Sequence, residues 1–334
     1  MRTPLSLSLA VHFAFAVAVT AADFKPTAQD KIVPADAKLE MVWAAGEFTE
    51  GPTAAANGDI YFTDIGNRIM RFVPSNNTTL IFREPSGKAN GLEFDAKGRL
   101  IACEGASGGG RRITIIERNV ARTLADRWEG KRFNSPNDLA LAPNGLVYFT
   151  DPRYAGDEPR ELDFEGVFFV RPNGVVGLAT KEVQKPNGIL VSTDGKTVFV
   201  ADNNPKGNRH LVKFTVGADA ALVGKEVVHD FGTDRRGIDG MTLDNKGNIF
   251  ATAGTGKEAG IYVFSSAGKH LAFVPTPGSP TNCAFGVGND ACVLYITAQA
   301  APQADGRKPW ALFRIRLNAV GHSVWSAPTP AKPE

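Results

Sequence analysis

Asn137-Asp138-Leu139-Ala140-Leu141-Ala142-Pro143-Asn144-Gly145-Leu146-Val147-Tyr148-Phe149-Thr150-Asp151 is the stretch whose pattern decides the architecture. An amide opens it, a short apolar run follows, Asn-Gly sits at the centre, and an aromatic and β-branched run ends on an acid. Two such runs around Asn-Gly read as a β-hairpin. The pattern recurs as EGPTAAANGDIYFTD from Glu50, NGLEFDAKGRLIACE from Asn90, NGILVSTDGKTVFVAD from Asn187, DGMTLDNKGNIFATA from Asp239 and NCAFGVGNDACVLYITA from Asn282. Counting all six, successive starts are 40, 47, 50, 52 and 43 residues apart.

Two more strand-like runs follow each hairpin, such as Gly166 to Val170 with Val175 to Thr180, so each repeat supplies about four strands. Four antiparallel strands at a period of roughly 40–50 residues predict an all-β chain, a six-bladed β-propeller. The sixth repeat has only three strands, because after Ala311 to Leu317 nothing but a Pro-rich tail remains. The run Leu39 to Ala45 has no partner of its own and is expected to complete that blade, closing the ring and leaving no open sheet edge. One propeller over residues 39–320 results, flanked by a flexible segment at 23–38 and a tail at 321–334.

The ends and the composition bound what this propeller does. Arg2, the apolar run Leu5 to Val19 and the small residues Thr20, Ala21 and Ala22 have the layout of a secretory signal peptide, residues 1–22. A secreted or periplasmic location follows as an expectation, without stable membrane insertion. A net charge of +2 across 334 residues argues against a nucleic-acid partner. Three cysteines, Cys103, Cys283 and Cys292, permit at most one disulfide, of which Cys283 with Cys292 is the candidate pair. Oligomeric state is not legible.

The first strand of a propeller blade lies nearest the axis, so the residues opening the repeats converge at one mouth. They are Glu50, Asn90, Asn137, Asn187, Asp239 and Asn282, and every one carries a side-chain oxygen. Such a ring suits a hard divalent cation, Ca²⁺ foremost, with Mg²⁺ or Mn²⁺ as alternatives. Glycine directly follows four of them, which lets backbone pass close to a ligand. A second set of acids, Asp64, Glu104, Asp151 and Asp202, closes the hairpins and returns to the same face, where it either tunes the site, binds substrate hydroxyls or caps turns.

Other motifs fail on context. Gly105-Ala106-Ser107-Gly108-Gly109 has the G-x-S-x-G spelling, but a strand follows it where a nucleophile elbow needs a helix. The histidines have neither metal nor triad spacing, and Gly195-Lys196-Thr197 lacks the upstream glycine of a P-loop.

FTEGP at Phe48 to Pro52, FNSPNDL at Phe133 to Leu139, FTD at Phe149 to Asp151, KPNGI at Lys185 to Ile189, IDGM at Ile238 to Met241 and PTNCAF at Pro280 to Phe285 occur in order along the chain. In these the chain resembles the gluconolactonase, or regucalcin (senescence marker protein), family of metal-dependent six-bladed propellers. The resemblance implies that Glu50, Asn187 and Asp239 ligate the divalent cation, that Asp239 also serves as the catalytic residue, and that Asn137 faces the substrate. Asn90 and Glu104 are expected as further substrate contacts. The implied reaction is metal-dependent hydrolysis of a lactone, a sugar lactone such as glucono-1,5-lactone. The alternatives are a non-catalytic metal- and ligand-binding propeller and an esterase of other activated esters. Two departures fall where substrate would be touched: Ser135 stands where animal members have arginine, and Cys103-Glu104-Gly105 runs into Ala106 without the histidine of bacterial members.

Overall fold

The structure, a computed structural model, describes residues 25–324. The signal-peptide reading of residues 1–22 lies outside the described residues.

Six four-stranded antiparallel sheets surround a central axis, five of them ordered from the axis outward by sequence and the sixth completed on its outer edge by the first strand of the chain. Blade 1 comprises Thr49–Ala54, Ile60–Asp64, Arg68–Val73 and Thr78–Arg83. Blades 2, 3, 4 and 5 begin at the axis with Ala89–Phe94, Leu139–Leu141, Pro186–Val191 and Met241–Leu243. Blade 6 comprises Pro280–Phe285, Val293–Gln299 and Trp310–Arg316 and is completed by Glu40–Gly46, which pairs with the last of these through Met41↔Phe313 and Gly46↔Trp310. The closing strand is thus the expected one, shifted by one residue. Its pairing with Trp310–Arg316 closes the ring between the first and sixth blades.

The hairpin turns explain why the pattern is so readable. Gly58, Gly98, Gly145, Gly195 and Gly247 all have φ between +71° and +89°. Each donates its N–H to the carbonyl three residues earlier, as Gly145 does to Ala142 at 2.8 Å. Only glycine takes that left-handed position without cost.

Apolar burial falls into six clusters, one in each wedge between neighbouring blades. Between blades 2 and 3, Phe133 is fully buried, with ring centroids 5.0 Å from Phe149 and 5.5 Å from Phe168. Truncating such a ring costs about 3–5 kcal/mol. Its position also fixes the loop that carries Asn134 to Asn137 to the axis.

Around the axis the blades are stitched by their inner strands. Gly91 N–H donates to Asn137 O at 2.8 Å, Gly188 N–H to Asp239 O at 2.8 Å and Gly240 N–H to Thr281 O at 2.7 Å. A Cβ on Gly51 would sit 2.2 Å from Asn90 O, and one on Gly188 2.3 Å from Asp239 O. The glycines behind the ring residues therefore serve the close approach of the next blade. This corrects their assignment to a ligand.

Three further expectations change. The segment 23–38 is, in its described part, docked: Ala28 N–H donates to Leu271 O at 2.8 Å, the Gln29 side chain brackets Phe273 with bonds of 2.9 and 2.8 Å, and Ile32 is buried. The short helix Gln29–Ile32 covers the outer strand of blade 5, His270–Pro275. The tail is likewise pinned at its start, Gly321 N–H to Ala291 O and His322 N–H to Leu243 O. Cys283 and Cys292 are unpaired; Cys283 belongs to an inner strand, where its thiol faces Phe250 O at 3.4 Å.

Candidate active site

At one mouth the axis widens into a cavity of about 810 Å³. Glu50, Asn90, Asn137, Asn187 and Asp239 all line it, so five of the six repeat-opening residues meet as expected. Asn282 does not: its Oδ1 accepts from Cys283 N–H at 2.8 Å, and the side chain packs on Gly240 and lines a recess at the opposite mouth.

Glu50 and Asp239 are buried, and each is set by its neighbours. Asp239 Oδ1 accepts from Asn187 Nδ2 at 2.7 Å, and Oδ2 pairs with Arg236, whose other N–H reaches Pro280 O. Glu50 Oε2 accepts from its neighbour Gly51 N–H at 2.9 Å, and the Asn282 amide also donates to the carboxyl. Burial, and then the charges of Asp239 and Asp138, push the Glu50 carboxyl well above the usual carboxylate range. Burial raises Asp239 too, while Arg236 and Asn187 pull it back. Two carboxylates that resist joint ionisation thus face amides in one open cavity, and of the two only Asp239 has an ion-pair partner among the described residues.

The second set of acids does other work. Asp64 Oδ1 accepts from Glu47 and Phe48 N–H, both at 3.0 Å; Asp151 accepts from Asn134 and Ser135 N–H, both at 2.7 Å; Asp202 accepts from Gln184 and Lys185 N–H. Each acid thus clamps the loop entering the inner strand of its own blade. They hold the cavity wall in place from behind. Glu104 corrects the expectation of a substrate contact most directly: it is buried, bonded to Arg112 Nε at 2.7 Å, and absent from the cavity wall.

Sequence reasoning missed three groups. Arg236, three residues before Asp239, supplies the counter-charge, and an (i, i+3) spacing to an inner-ring acid was its signal. Asp138 is a third buried carboxyl, held at about 7 by burial. Its signal was the replacement of the usual Gly by Asp after the ring residue. Lys88 lines the cavity, and no repeat pattern marks it.

The cavity wall offers the oxygens of Glu50 and Asp239 and of the amides Asn90, Asn137 and Asn187, with no His or Cys among its described lining, chemistry that fits Ca²⁺, Mg²⁺ or Mn²⁺ rather than zinc or copper; Lys88, Arg209, Arg235 and Arg236 also line it. Among the described residues, no three His, Cys, Asp or Glu side chains gather into a preassembled metal cluster.

The fold and the cavity define a six-bladed β-propeller with an acid- and amide-lined axial site. A family model described as SMP-30/Gluconolactonase/LRE-like region matches residues 48–300, and the chain belongs to that family. A gluconolactonase of Zymomonas mobilis is 28% identical over 296 residues, covering 80% of this chain and 81% of that protein. The structure of a gluconolactonase from Xanthomonas campestris superposes with a TM-score of 0.72 at 27% identity, covering 85% of this chain and 90% of the other. The calcium-binding protein regucalcin of Agrobacterium tumefaciens shares the fold, with a TM-score of 0.69 at 20% identity over 86% of this chain and 96% of that one.

Proposed function

We propose that the chain is a divalent-cation-dependent lactonase, acting on a sugar lactone such as glucono-1,5-lactone in the axial cavity. The observation that carries this reading is the placement of Glu50 and Asp239, two buried carboxylates of which only Asp239 has an ion-pair partner among the described residues, beside Asn137 and Asn187 in one open cavity. Family membership and the gluconolactonase relatives support the lactone; the oxygen donor set supports the cation. The leader read in residues 1–22 supports a secreted or periplasmic enzyme.

Glu50, Asn187 and Asp239 would hold the cation. Bound there, a divalent cation supplies charge stabilisation to the oxyanion that develops on an ester carbonyl and lowers the proton affinity of water. Asn137 orients the lactone through its amide. Asp239 takes a proton from the attacking water at Oδ1, the oxygen whose only partner is the neutral Asn187 amide; Oδ2 is made less basic by Arg236. Addition to the carbonyl carbon gives a tetrahedral intermediate, whose collapse breaks the bond to the ring oxygen; that oxygen takes the proton from Asp239, giving a hydroxy acid.

The test is hydrolysis of D-glucono-1,5-lactone by protein stripped with EDTA and reloaded with Ca²⁺, with phenyl acetate as an acyclic comparison. Hydrolysis above the spontaneous rate, lost with EDTA and restored by Ca²⁺, is expected. Turnover indifferent to EDTA overturns the cation role, and binding without turnover makes the propeller a receptor.

A further inference from the structure

Lys88 stands in the wall of the same cavity and is, among the described residues, the cation there without a fixed partner of opposite charge or a full set of carbonyls. Arg236 pairs with Asp239, Arg235 with Glu258 at 3.2 Å, and Arg209 is spent on the carbonyls of Pro205, Thr233 and Arg235. Lys88 Nζ donates once, to Gly66 O at 2.9 Å, and makes no salt bridge among the described residues. An ammonium has three donors, so two remain for the cavity.

The backbone is arranged to hold this lysine where it is. Lys88 has φ of +58°, a left-handed conformation that persists in a non-glycine residue only where its surroundings over-determine it. Those surroundings are identifiable: Lys88 N–H donates to Asn67 Oδ1 at 3.1 Å, and Lys88 O accepts from Gly105 N–H at 3.0 Å. Glu104, the acid nearest in sequence to that contact, is committed to Arg112 and cannot neutralise the ammonium. On the other side of Gly105 stands Ser135, whose Oγ accepts from Ala106 N–H at 2.9 Å and so keeps its own proton free to donate. Asn90, two residues on from Lys88, faces the same cavity.

Lys88, Ser135 and Asn90 therefore make a wall of donors with no carboxylate among them, in the same cavity as the acids Glu50 and Asp239. A neutral sugar lactone calls for hydroxyl acceptors as much as donors and gives an unpaired ammonium no counter-charge. A cavity of about 810 Å³ also leaves space beyond a bare hexonolactone, since it lies near the upper end for drug-sized ligands. We propose that Lys88, assisted by Ser135 and Asn90, is an anion subsite, and that the substrates this enzyme prefers are lactones bearing an acidic substituent, a carboxylate or a phosphate. This rests on the lactonase reading for turnover, though not for binding.

The experiment compares wild type, Lys88→Gln and Lys88→Arg on D-glucaro-1,4-lactone, 6-phospho-D-glucono-1,5-lactone and neutral D-glucono-1,5-lactone, with melting curves to confirm folding. The first two separate a carboxylate from a phosphate as the recognised group. Expected is a kcat/KM at least about tenfold higher for one or both acidic lactones, lost in Lys88→Gln through KM, largely kept in Lys88→Arg, and weakened by salt. The neutral lactone should change less than about threefold in either variant. Calorimetry with the stable products D-glucarate and 6-phosphogluconate gives a second readout. Binding that disappears in Lys88→Gln upholds the subsite even if no lactone is turned over, in which case the lactonase reading alone falls. Hydrolysis of the neutral lactone with no preference for acidic ones overturns the subsite and leaves the lactonase standing. Absence of both turnover and product binding overturns the proposal.

Discussion

The two mouths of the propeller axis are built from the same six strands and both carry buried acids, yet they differ in every respect that matters for chemistry. At one, Glu50 and Asp239 open into about 810 Å³ with Lys88, Arg235 and Arg236 around them. At the other, Glu93 and Asp138 line a recess of about 90 Å³ that shares its lining with His322, Ser323 and Val324 of the tail. Burial, with the charge of Asp138 added, pushes Glu93 up to about 8, and Asp138 rests near 7. A raised carboxyl therefore does not mark the site by itself. What separates the mouths is room for a ligand and counter-charge that can respond to one: Asp239 has Arg236 and Asn187, whereas Asp138 has the Leu139 N–H at 3.0 Å and the Asn282 amide.

The largest effect should come from removing charge on each side in turn. Asp239→Asn keeps the volume and loses the proton acceptor, so kcat on D-glucono-1,5-lactone should fall by more than about 100-fold at saturating Ca²⁺. Asp138→Asn, on the closed side, should leave kcat within about threefold, since a group outside the cavity makes no contact with the reacting atoms. Equal losses in the two variants would break the distinction between the mouths. A metal-loaded Asp239→Asn enzyme with wild-type kcat would remove that residue from catalysis.

Cation affinity sharpens the same contrast at a smaller scale. Glu50→Gln should weaken Ca²⁺ binding by about tenfold or more, the range found for groups that support a metal site, while Glu93→Gln should not move it measurably. Arg236→Gln acts in the opposite direction. Its charge sits on Asp239, so its loss should tighten Ca²⁺ by several-fold, through relief of repulsion and of competition for Oδ2. Calorimetric titration of the three variants decides these together. Weaker binding in Arg236→Gln would mean that the arginine positions Asp239 more than it opposes the cation.

How much of this was written in the chain follows the same division. The blades were legible because five of the six inner hairpins repeat one local requirement, a left-handed glycine after a turn residue, and because inner strands buried on both faces between neighbouring blades read as short, nearly continuous apolar runs. The five cavity-lining ring residues were legible for the same reason: repeat position maps onto distance from the axis. Lys88 and Arg236 were not, since they sit on loops entering blades 2 and 5, where length and composition vary and no period applies. Glu104 was misjudged because repeat position gives the end of the strand on which a side chain lies, not its rotamer, and Arg112 across the sheet captures it. The docking of Gln29 and Ile32 escaped notice because a four-residue helix carries no periodicity; two prolines on either side read as a loose end. The fold is thus encoded by repetition, and the specificity of the cavity by the places where repetition stops.

The smallest expected effect tests the closed mouth through stability. Asp138 titrates near 7 in the folded protein against an ordinary value near 4, because burial disfavours its charged form. The native state therefore holds this proton more tightly than the unfolded chain does. The stabilisation it gives is complete below about pH 4 and is lost as pH rises through about 7. Asp138→Asn fixes the side chain in a neutral form of the same shape, and Asn Oδ1 can still accept from Leu139 N–H. In cation-free protein, the variant and the wild type should melt close together below about pH 4, whereas at pH 8 the variant should melt higher by several °C. Saturating Ca²⁺ should narrow that gap, since a cation held by Glu50 and Asp239 would lower the field that Asp138 experiences. A variant less stable than wild type at pH 8 would mean that Asp138 is ionised and useful there, and the recess at the far mouth would then have to be counted with the cavity as one continuous acidic axis.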